Sequence, residues 1–231
     1  CYNTSINPSS FDEVAIINSV DDIDRIYINM EHSYLGDLSM VLQCPNGQMC
    51  LLHAYSSGTM SSLHWTNHGG INVSGSSGGG NFHLGLAPDP NSSHSPCYYT
   101  AGEGYSYYFT PTSTTPFGRT SPLTHISFTY PCGETQAQYE VDPGEYATYD
   151  RMESLIGCPL NGEWTLYVCD HLGLDNGWIF EWGIFFNEEI YPADLWEFEN
   201  IYSEDGFFWE GGNDFPDIPR PHPYVCGSVG P

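Results

Sequence analysis

Hydrophobic and polar residues alternate along much of the chain with a period of two, which is typical of half-buried β-strands. The alternation is clearest in residues 26–31, 38–42, 164–169 and 178–186. Weaker runs predict further strands at residues 49–52, 105–110 and 126–130. The only weakly helical window, residues 149–156, is too short to form a substantial helix. The pattern therefore predicts an all-β protein.

Turn residues separate these runs, as expected for a β-sandwich. Pro45-Asn46-Gly47 and Leu160-Asn161-Gly162 are examples. Between His53 and Pro122 the chain is rich in Gly, Ser, His and Pro, and we interpret this stretch as long loops that carry one or two short strands. Ordinary surface loops and loops that serve binding both remain open for it.

The composition changes after residue 187. Ten acidic residues lie between Glu188 and Asp217, with aromatic residues between them, and a proline-rich stretch follows. Proline opposes regular structure, so we expect a mostly irregular extension that packs its aromatic residues on a neighbour. The predicted organisation is a lead-in at residues 1–10, a β-sandwich at 11–187 and an acidic, aromatic linker or the start of a following β domain at 188–231.

The charge of the chain excludes several kinds of partner. It contains 29 acidic and 4 basic residues, a formal net charge of −25, and no lysine. Nucleic-acid binding needs clustered Arg and Lys against phosphates, and a polybasic membrane-surface module needs them against anionic lipids. Charged residues make up only 14% of the chain and aromatic residues 15%, which is unlike a disordered acidic tail.

No apolar stretch approaches the length of about 18 residues that a membrane span needs, and no signal peptide opens the chain. We therefore expect a mature protein or an excised piece without membrane insertion. Eight cysteines without a strong metal-binding spacing favour disulfides and an extracytoplasmic compartment. Two local pairings are plausible across turns, Cys44 with Cys50 and Cys158 with Cys169, and buried free thiols are the alternative.

Two sequence blocks resemble a known family. The first runs from Ile26 through His32-x-Tyr34-x-Gly36-Asp37-Leu38 to Pro45-x-Gly47. The second runs from Leu160-Asn161-Gly162-x-Trp164 through Asp170 to Asp175-x-Gly177 and Trp182. Together, over about residues 11–187, they resemble the P domain (P/Homo B domain) of proprotein convertases in its bacterial form. The resemblance implies a jelly-roll-type β-sandwich.

The resemblance also suggests a structural calcium ion, because bacterial P domains often bind Ca²⁺. The candidate ligands lie at strand ends and in adjoining loops: Glu31, Asp37, Asp170 and Asp175. Carboxylates from different loops supply the hard oxygen ligands that Ca²⁺ prefers. The alternative is that these acids cap turns through backbone hydrogen bonds. Trp164 and Trp182 are expected in the core.

We expect no catalytic residues in this chain. Gly58-Thr59-Met60-Ser61 and Asn67-His68-Gly69-Gly70 faintly imitate the serine and histidine blocks of subtilases. Their order along the chain is the reverse of the order in that family. His64 and His68 would share a helix face, but they lie in a glycine-rich stretch without a zinc motif, so zinc binding is a weak hypothesis.

The sequence therefore predicts a non-catalytic, calcium-stabilised module of a large secreted or cell-surface bacterial protein. Such P domains occur in adhesin-like proteins of gliding bacteria that are exported by the type IX system. The expected partners are neighbouring domains of the same polypeptide or a cell-surface or export protein. The alternative is the accessory domain of a secreted subtilisin-like protease whose catalytic domain lies outside this chain.

Overall fold

The computed structural model describes residues 1–55, 82–88, 97, 100–118, 121–172 and 175–192, and the backbone of 225–228. These residues form twelve strands, which are β1 Tyr2–Ile6, β2 Ile23–His32, β3 Leu38–Gln43, β4 Met49–His53, β5 His83–Leu84, β6 Tyr105–Phe109, β7 Leu123–Thr129, β8 Thr135–Val141, β9 Gly144–Tyr146, β10 Trp164–Asp170, β11 Gly177–Phe186 and β12 Val225–Ser228. Their helices are short 3₁₀ turns at Val20–Asp22, Leu35–Asp37, Met152–Leu155 and Glu188–Ile190. No helix in this part of the chain has the length and hydrophobicity needed to cross a membrane.

The strands form two sheets. One sheet has four strands in the order β1-β10-β3-β4, all antiparallel. The other has eight strands, six of them in the order β12-β11-β2-β5-β8-β7, while β6 pairs with β2 and β9. The predicted all-β, jelly-roll-type sandwich is confirmed, and every run of alternating residues named above forms a strand.

Alternation along the strands builds the core between the sheets. Ile26, Ile28 and Met30 of β2 face inward together with the apolar residues of β3 and β10. Trp164 and Trp182 are fully buried in this core, as expected. The indole N–H of Trp164 donates a hydrogen bond to the carbonyl oxygen of Leu160 over 3.2 Å, so the turn before β10 is tied to its first residue.

Both ends of the chain contribute more to the sheets than the sequence suggested. Residues 2–6, within the predicted lead-in, form the edge strand β1, which pairs with β10 from Tyr2↔Val168 to Ile6↔Trp164. Only Ile6 of this strand is buried, so β1 lacks the alternation that predicts a strand. In the extension after residue 187, β12 pairs with Glu181–Ile184 of β11. Residues 193–224 and 229–231 lie outside the described residues.

The predicted pairing of the cysteines is wrong. The disulfides are Cys1–Cys169, Cys44–Cys158 and Cys97–Cys132. Cys50 is buried and is the free cysteine among the residues whose side chains are described. The sequence thus identified three bonded cysteines, Cys44, Cys158 and Cys169, but assigned them the wrong partners.

Strand register explains why the local pairs do not form. Cys50 lies opposite Leu42, while Cys44 meets Gln48, so Cys44 and Cys50 are diagonal neighbours across the hairpin. Diagonal Cα atoms lie about 7–8 Å apart, beyond the usual range of about 4.4–6.8 Å for a disulfide. The Cα atoms of Cys44 and Cys158 are 6.0 Å apart.

The second predicted pair fails because its members lie on opposite faces of a sheet. Cys158 belongs to the core between the sheets, whereas Cys169 packs with Val41 and Leu51 on the outer face of β10 and β3. Cys169 instead follows Val168, the partner of Tyr2, and so comes opposite Cys1. The pairing therefore depends on which strands are neighbours rather than on spacing in the sequence.

Candidate functional site

Two connections between the sheets meet at one end of the sandwich. The chain passes from β2 in the eight-stranded sheet to β3 in the four-stranded sheet, and it returns from β10 to β11. In the ladders, Asp170 lies opposite Leu38 and Gly177 lies opposite His32. Both connections therefore begin and end side by side. This convergence brings Asp37, Asp170 and Asp175 together.

Backbone and side-chain hydrogen bonds join the two connections. The N–H of His171 donates to the carbonyl oxygen of Asp37 over 2.9 Å, and the N–H of Ser33 donates to the carbonyl oxygen of Asn176 over 3.1 Å. The hydroxyl of Ser33 donates to Oδ1 of Asp175 over 3.3 Å. The aspartates are thus held by connections that brace one another.

The three aspartates perturb one another electrostatically. The pKa of Asp37 is raised to about 7, first by burial, then by the hydrogen bond that it shares with Asp175 and by the negative charges of Asp175 and Asp170. Burial is also the largest cause that raises the pKa of Asp170, and the N–H of Leu172 opposes it. Asp37 therefore keeps its proton up to about neutral pH. The described arginines, Arg25 and Arg151, pair with other acids.

His32 lies beside the aspartates without neutralising them. Its side chain is buried, and burial lowers its pKa to about 4, although the charge of Asp175 opposes that shift. Its Nδ1 accepts a hydrogen bond from the N–H of Tyr34 over 3.0 Å, so the proton of the neutral ring is on Nε2. Nε2 is 3.9 Å from Oδ2 of Asp170, which is beyond hydrogen-bonding distance.

Glu31, the fourth candidate ligand, lies apart from the aspartates. Its neighbours in β2, Met30 and His32, line the cleft described below, whereas Glu31 faces Gly85 on the other side of the strand. Glu31 is fully buried, and neither carboxylate oxygen has a partner at hydrogen-bonding geometry. Burial raises its pKa to about 8, against a smaller lowering effect from the N–H of Gly102.

The aspartates are not arranged as a preformed metal-binding site. Within the described ranges, no group of three or more His, Cys, Asp or Glu side chains is arranged to hold a metal ion. Asp37, Asp170 and Asp175 offer carboxylate oxygens of the kind that Ca²⁺ prefers, but they would have to rotate to share one ion. His64, His68 and the segments that imitate subtilase blocks lie outside the described residues.

A cleft of about 720 Å³ opens beside Asp170 and Asp175. Most of its lining is apolar and comes from the strands of both sheets, including Met30, Val168, Trp178, Ile179 and Phe180. Its polar lining includes His32, Asp170, Asp175 and Asn176. The sequence motifs contain several of these positions, but only the packing of the two sheets leaves a cavity between them.

Comparison with known proteins supports the resemblance seen in the sequence. The family model of the proprotein convertase P-domain matches residues 24–94. This range covers β2 from its second residue, together with β3, β4 and β5, and contains Glu31 and Asp37. The second sequence block, with Asp170 and Asp175, lies beyond it. No curated protein and no solved structure matches the chain.

The disulfides and the family match point in the same direction. Three disulfides are typical of proteins that fold in an oxidising, extracellular environment. In proprotein convertases, the P domain is an accessory domain and does not carry the catalytic residues. We conclude that this chain contains a proprotein convertase P-domain match at residues 24–94, within a disulfide-linked β-sandwich.

Proposed function

We propose that this chain is a non-catalytic P-domain-like module of a large secreted or cell-surface bacterial protein, in which it contributes folding stability or an interaction surface. The observation that carries the proposal is the P-domain match on a disulfide-linked sandwich. The proposal includes an adhesin-like protein of the type IX exported kind. Its partners are neighbouring domains of the same polypeptide or a cell-surface or export protein.

A second candidate is the accessory domain of a secreted subtilisin-like protease. The observation in its favour is the family itself, because the matched model describes the P domain of proprotein convertases. The two candidates differ in what the same gene encodes upstream of Cys1. A subtilase catalytic block there would favour the protease, and repeated adhesive or spacer domains would favour the surface protein.

Under either candidate, the isolated chain should lack hydrolytic activity of its own. We expect no peptide or ester hydrolysis that an active-site serine reagent abolishes, with subtilisin as the positive control. The variants Ser61→Ala and His68→Ala test the two segments that imitate subtilase blocks. Reagent-sensitive turnover by the pure wild-type protein, lost in these variants, would contradict the proposal.

We further propose that Ca²⁺ stabilises the module through Asp37, Asp170 and Asp175. The shared hydrogen bond and the mutual repulsion of these acids support this proposal, since a divalent cation would replace the proton and relieve the repulsion. A ligand that binds only the folded state stabilises it by about 2.7 kcal/mol at a hundredfold excess over Kd. For a chain of this size, that corresponds to a rise in Tm of about 5–10 °C.

Thermal unfolding with Ca²⁺, Mg²⁺ or a chelator tests the calcium proposal. Ca²⁺ should raise Tm more than Mg²⁺, which demands a stricter octahedral geometry. The increase should be larger at pH 8 than at pH 6, because metal ligands must be deprotonated and the pKa of Asp37 is about 7. Asp37→Asn and Asp170→Asn should each remove most of the increase.

Two further variants separate a specific site from general screening of the acidic surface. Glu163 is exposed at the opposite end of β10, so Glu163→Gln should keep the wild-type calcium response. Glu31→Gln should also keep it, because Glu31 lies apart from the aspartates. An unchanged calcium response in both Asp37→Asn and Asp170→Asn would show that the site is elsewhere or absent.

A further inference from the structure

The cleft beside Asp170 and Asp175 has the features of a binding site for an amphipathic ligand. Ligand sites usually measure about 300–1,000 Å³ and combine apolar walls with a few convergent polar groups. This cleft, at about 720 Å³, combines the apolar residues Trp178, Ile179 and Phe180 with carboxylates at one end. Phe180 and Gly177 are exposed, so the apolar wall reaches the surface.

The acidic end of the cleft favours a cation. Asp170 and Asp175 both line it, the described arginines are paired with other acids, and the positive charge that acts on Asp170 is the N-terminal ammonium of Cys1, which also lines the cleft. The whole chain carries a net charge of −25, which attracts basic partners over distance. A carboxylate pair beside an aromatic wall suits a guanidinium group, which forms charge-assisted hydrogen bonds and stacks on aromatic rings.

His32 adds a hydrogen-bond donor on the same wall. The residue is only 4% exposed and lines the cleft. Because Nδ1 accepts the N–H of Tyr34 over 3.0 Å, the neutral ring donates through Nε2, which lies 3.9 Å from Oδ2 of Asp170. The carbonyl oxygen of a peptide bound in the cleft can accept a hydrogen bond from this N–H.

We propose that this cleft binds a peptide segment of a partner protein that presents an arginine side chain between apolar residues. The guanidinium group lies against Asp170 and Asp175, the apolar residues pack on Trp178, Ile179 and Phe180, and Nε2 of His32 donates to a backbone carbonyl. The inference deepens the proposed role as an interaction module, because it names the chemistry of the partner.

The peptide proposal and the calcium proposal share Asp170 and Asp175 but are separable. Asp37 is a candidate calcium ligand that is not among the residues lining the cleft. Peptide binding is therefore measured in the presence of a chelator, where calcium makes no contribution. Asp37→Asn should remove most of the calcium response and retain peptide binding. Failure of one proposal therefore does not refute the other. Neither experiment tests the absence of catalysis.

The test measures binding of two isosteric peptides by isothermal titration calorimetry. The probe is acetyl-Leu-Arg-Leu-amide, and the control is the same peptide with citrulline, which keeps the shape of arginine but carries no charge. We expect the arginine peptide to bind at least about tenfold more tightly, since hydrogen bonds between charged groups are stronger than those of a neutral donor. Equal affinities, or no binding of either peptide, would refute the proposal.

Variants assign the preference to the cleft. Asp170→Asn and Asp175→Asn should each reduce the arginine-to-citrulline preference several-fold, while Phe180→Ala should weaken both peptides alike. Glu163→Gln removes one acid far from the cleft and should leave the preference unchanged. Each variant is first checked for a wild-type circular dichroism spectrum and cooperative unfolding. If the folded Asp170→Asn and Asp175→Asn proteins keep the full preference, the carboxylates of the cleft do not bind the guanidinium group.

Discussion

Loss of the Cys44–Cys158 disulfide should lower the free energy of unfolding by about 4–5 kcal/mol. This bond joins residues 114 positions apart, and the chain-entropy model assigns about 4.7 kcal/mol to a loop of roughly 100 residues. The predicted local pair, Cys44 with Cys50, would have closed a loop worth only about 2 kcal/mol in the same model. Denaturant unfolding of Cys44→Ala, Cys158→Ala and the double variant measures the loss.

The pattern across the cysteine variants tests the pairing. The double variant should be about as unstable as each single variant, because either change already breaks the bond. Cys50→Ala should cost less, since it removes a buried sulfur without opening a loop. A non-reduced digest should link the peptide that contains Cys44 to the one that contains Cys158. If Cys50→Ala were as damaging as Cys44→Ala, and Cys158→Ala were harmless, the local pair would be correct after all.

Replacing Glu31 by glutamine should stabilise the protein by a few kcal/mol at pH 8. The pKa of Glu31 is raised from 4.5 to about 8 in the folded state, so the folded chain retains a proton that the unfolded chain releases. Below about pH 4.5 this group costs no stability. The destabilisation grows as the pH rises from about 4.5 to about 8, and it levels off above pH 8. A tenfold difference in proton affinity between the folded and unfolded states corresponds to about 1.4 kcal/mol.

The relevant measurement is the difference in unfolding free energy between Glu31→Gln and the wild type, recorded at pH 5 and pH 8 in a chelator. Glutamine keeps the size and polarity of the protonated acid, so the two proteins should differ little at pH 5 and most at pH 8. Glu163→Gln serves as the exposed control, and its effect should be small at both values. If the difference in unfolding free energy between Glu31→Gln and the wild type is the same at pH 5 and pH 8, burial does not raise the pKa of Glu31.

Alternation correctly predicted the strands that bury one face against the opposite sheet. β2, β3, β10 and β11 were predicted because their inward residues are consistently apolar. β8 was missed because its sequence, Thr-Gln-Ala-Gln-Tyr-Glu-Val, carries buried polar residues on its inner side. There, Gln138 donates to Glu140 and accepts from Tyr130, so hydrogen bonds replace apolar packing.

The alternation in β2 also indicates which side of the strand Glu31 faces. The predicted calcium site considered only the position of Glu31 at the strand end. Met30 faces the core, so its neighbour Glu31 has to face the other side of the strand. The inclusion of Glu31 with Asp37, Asp170 and Asp175 in one ligand set stays a prediction, and the alternation in β2 argues against it. By contrast, Asp37 and Asp175 lie in the connections that lead into β3 and β11, and Asp170 ends β10. The two motif blocks contain all three aspartates.

Local patterns in the sequence thus determined the all-β class, the central strands, the buried tryptophans, the P-domain resemblance and the position of the aspartates at strand ends. These features depend on residues a few positions apart, so they can be predicted from short stretches of the sequence. Tertiary structure alone decided the edge strand β1, the partners of the cysteines, the raised pKa of Asp37, and the cleft. Each of these depends on which distant strands become neighbours and in which register, and on how deeply their packing buries a charge.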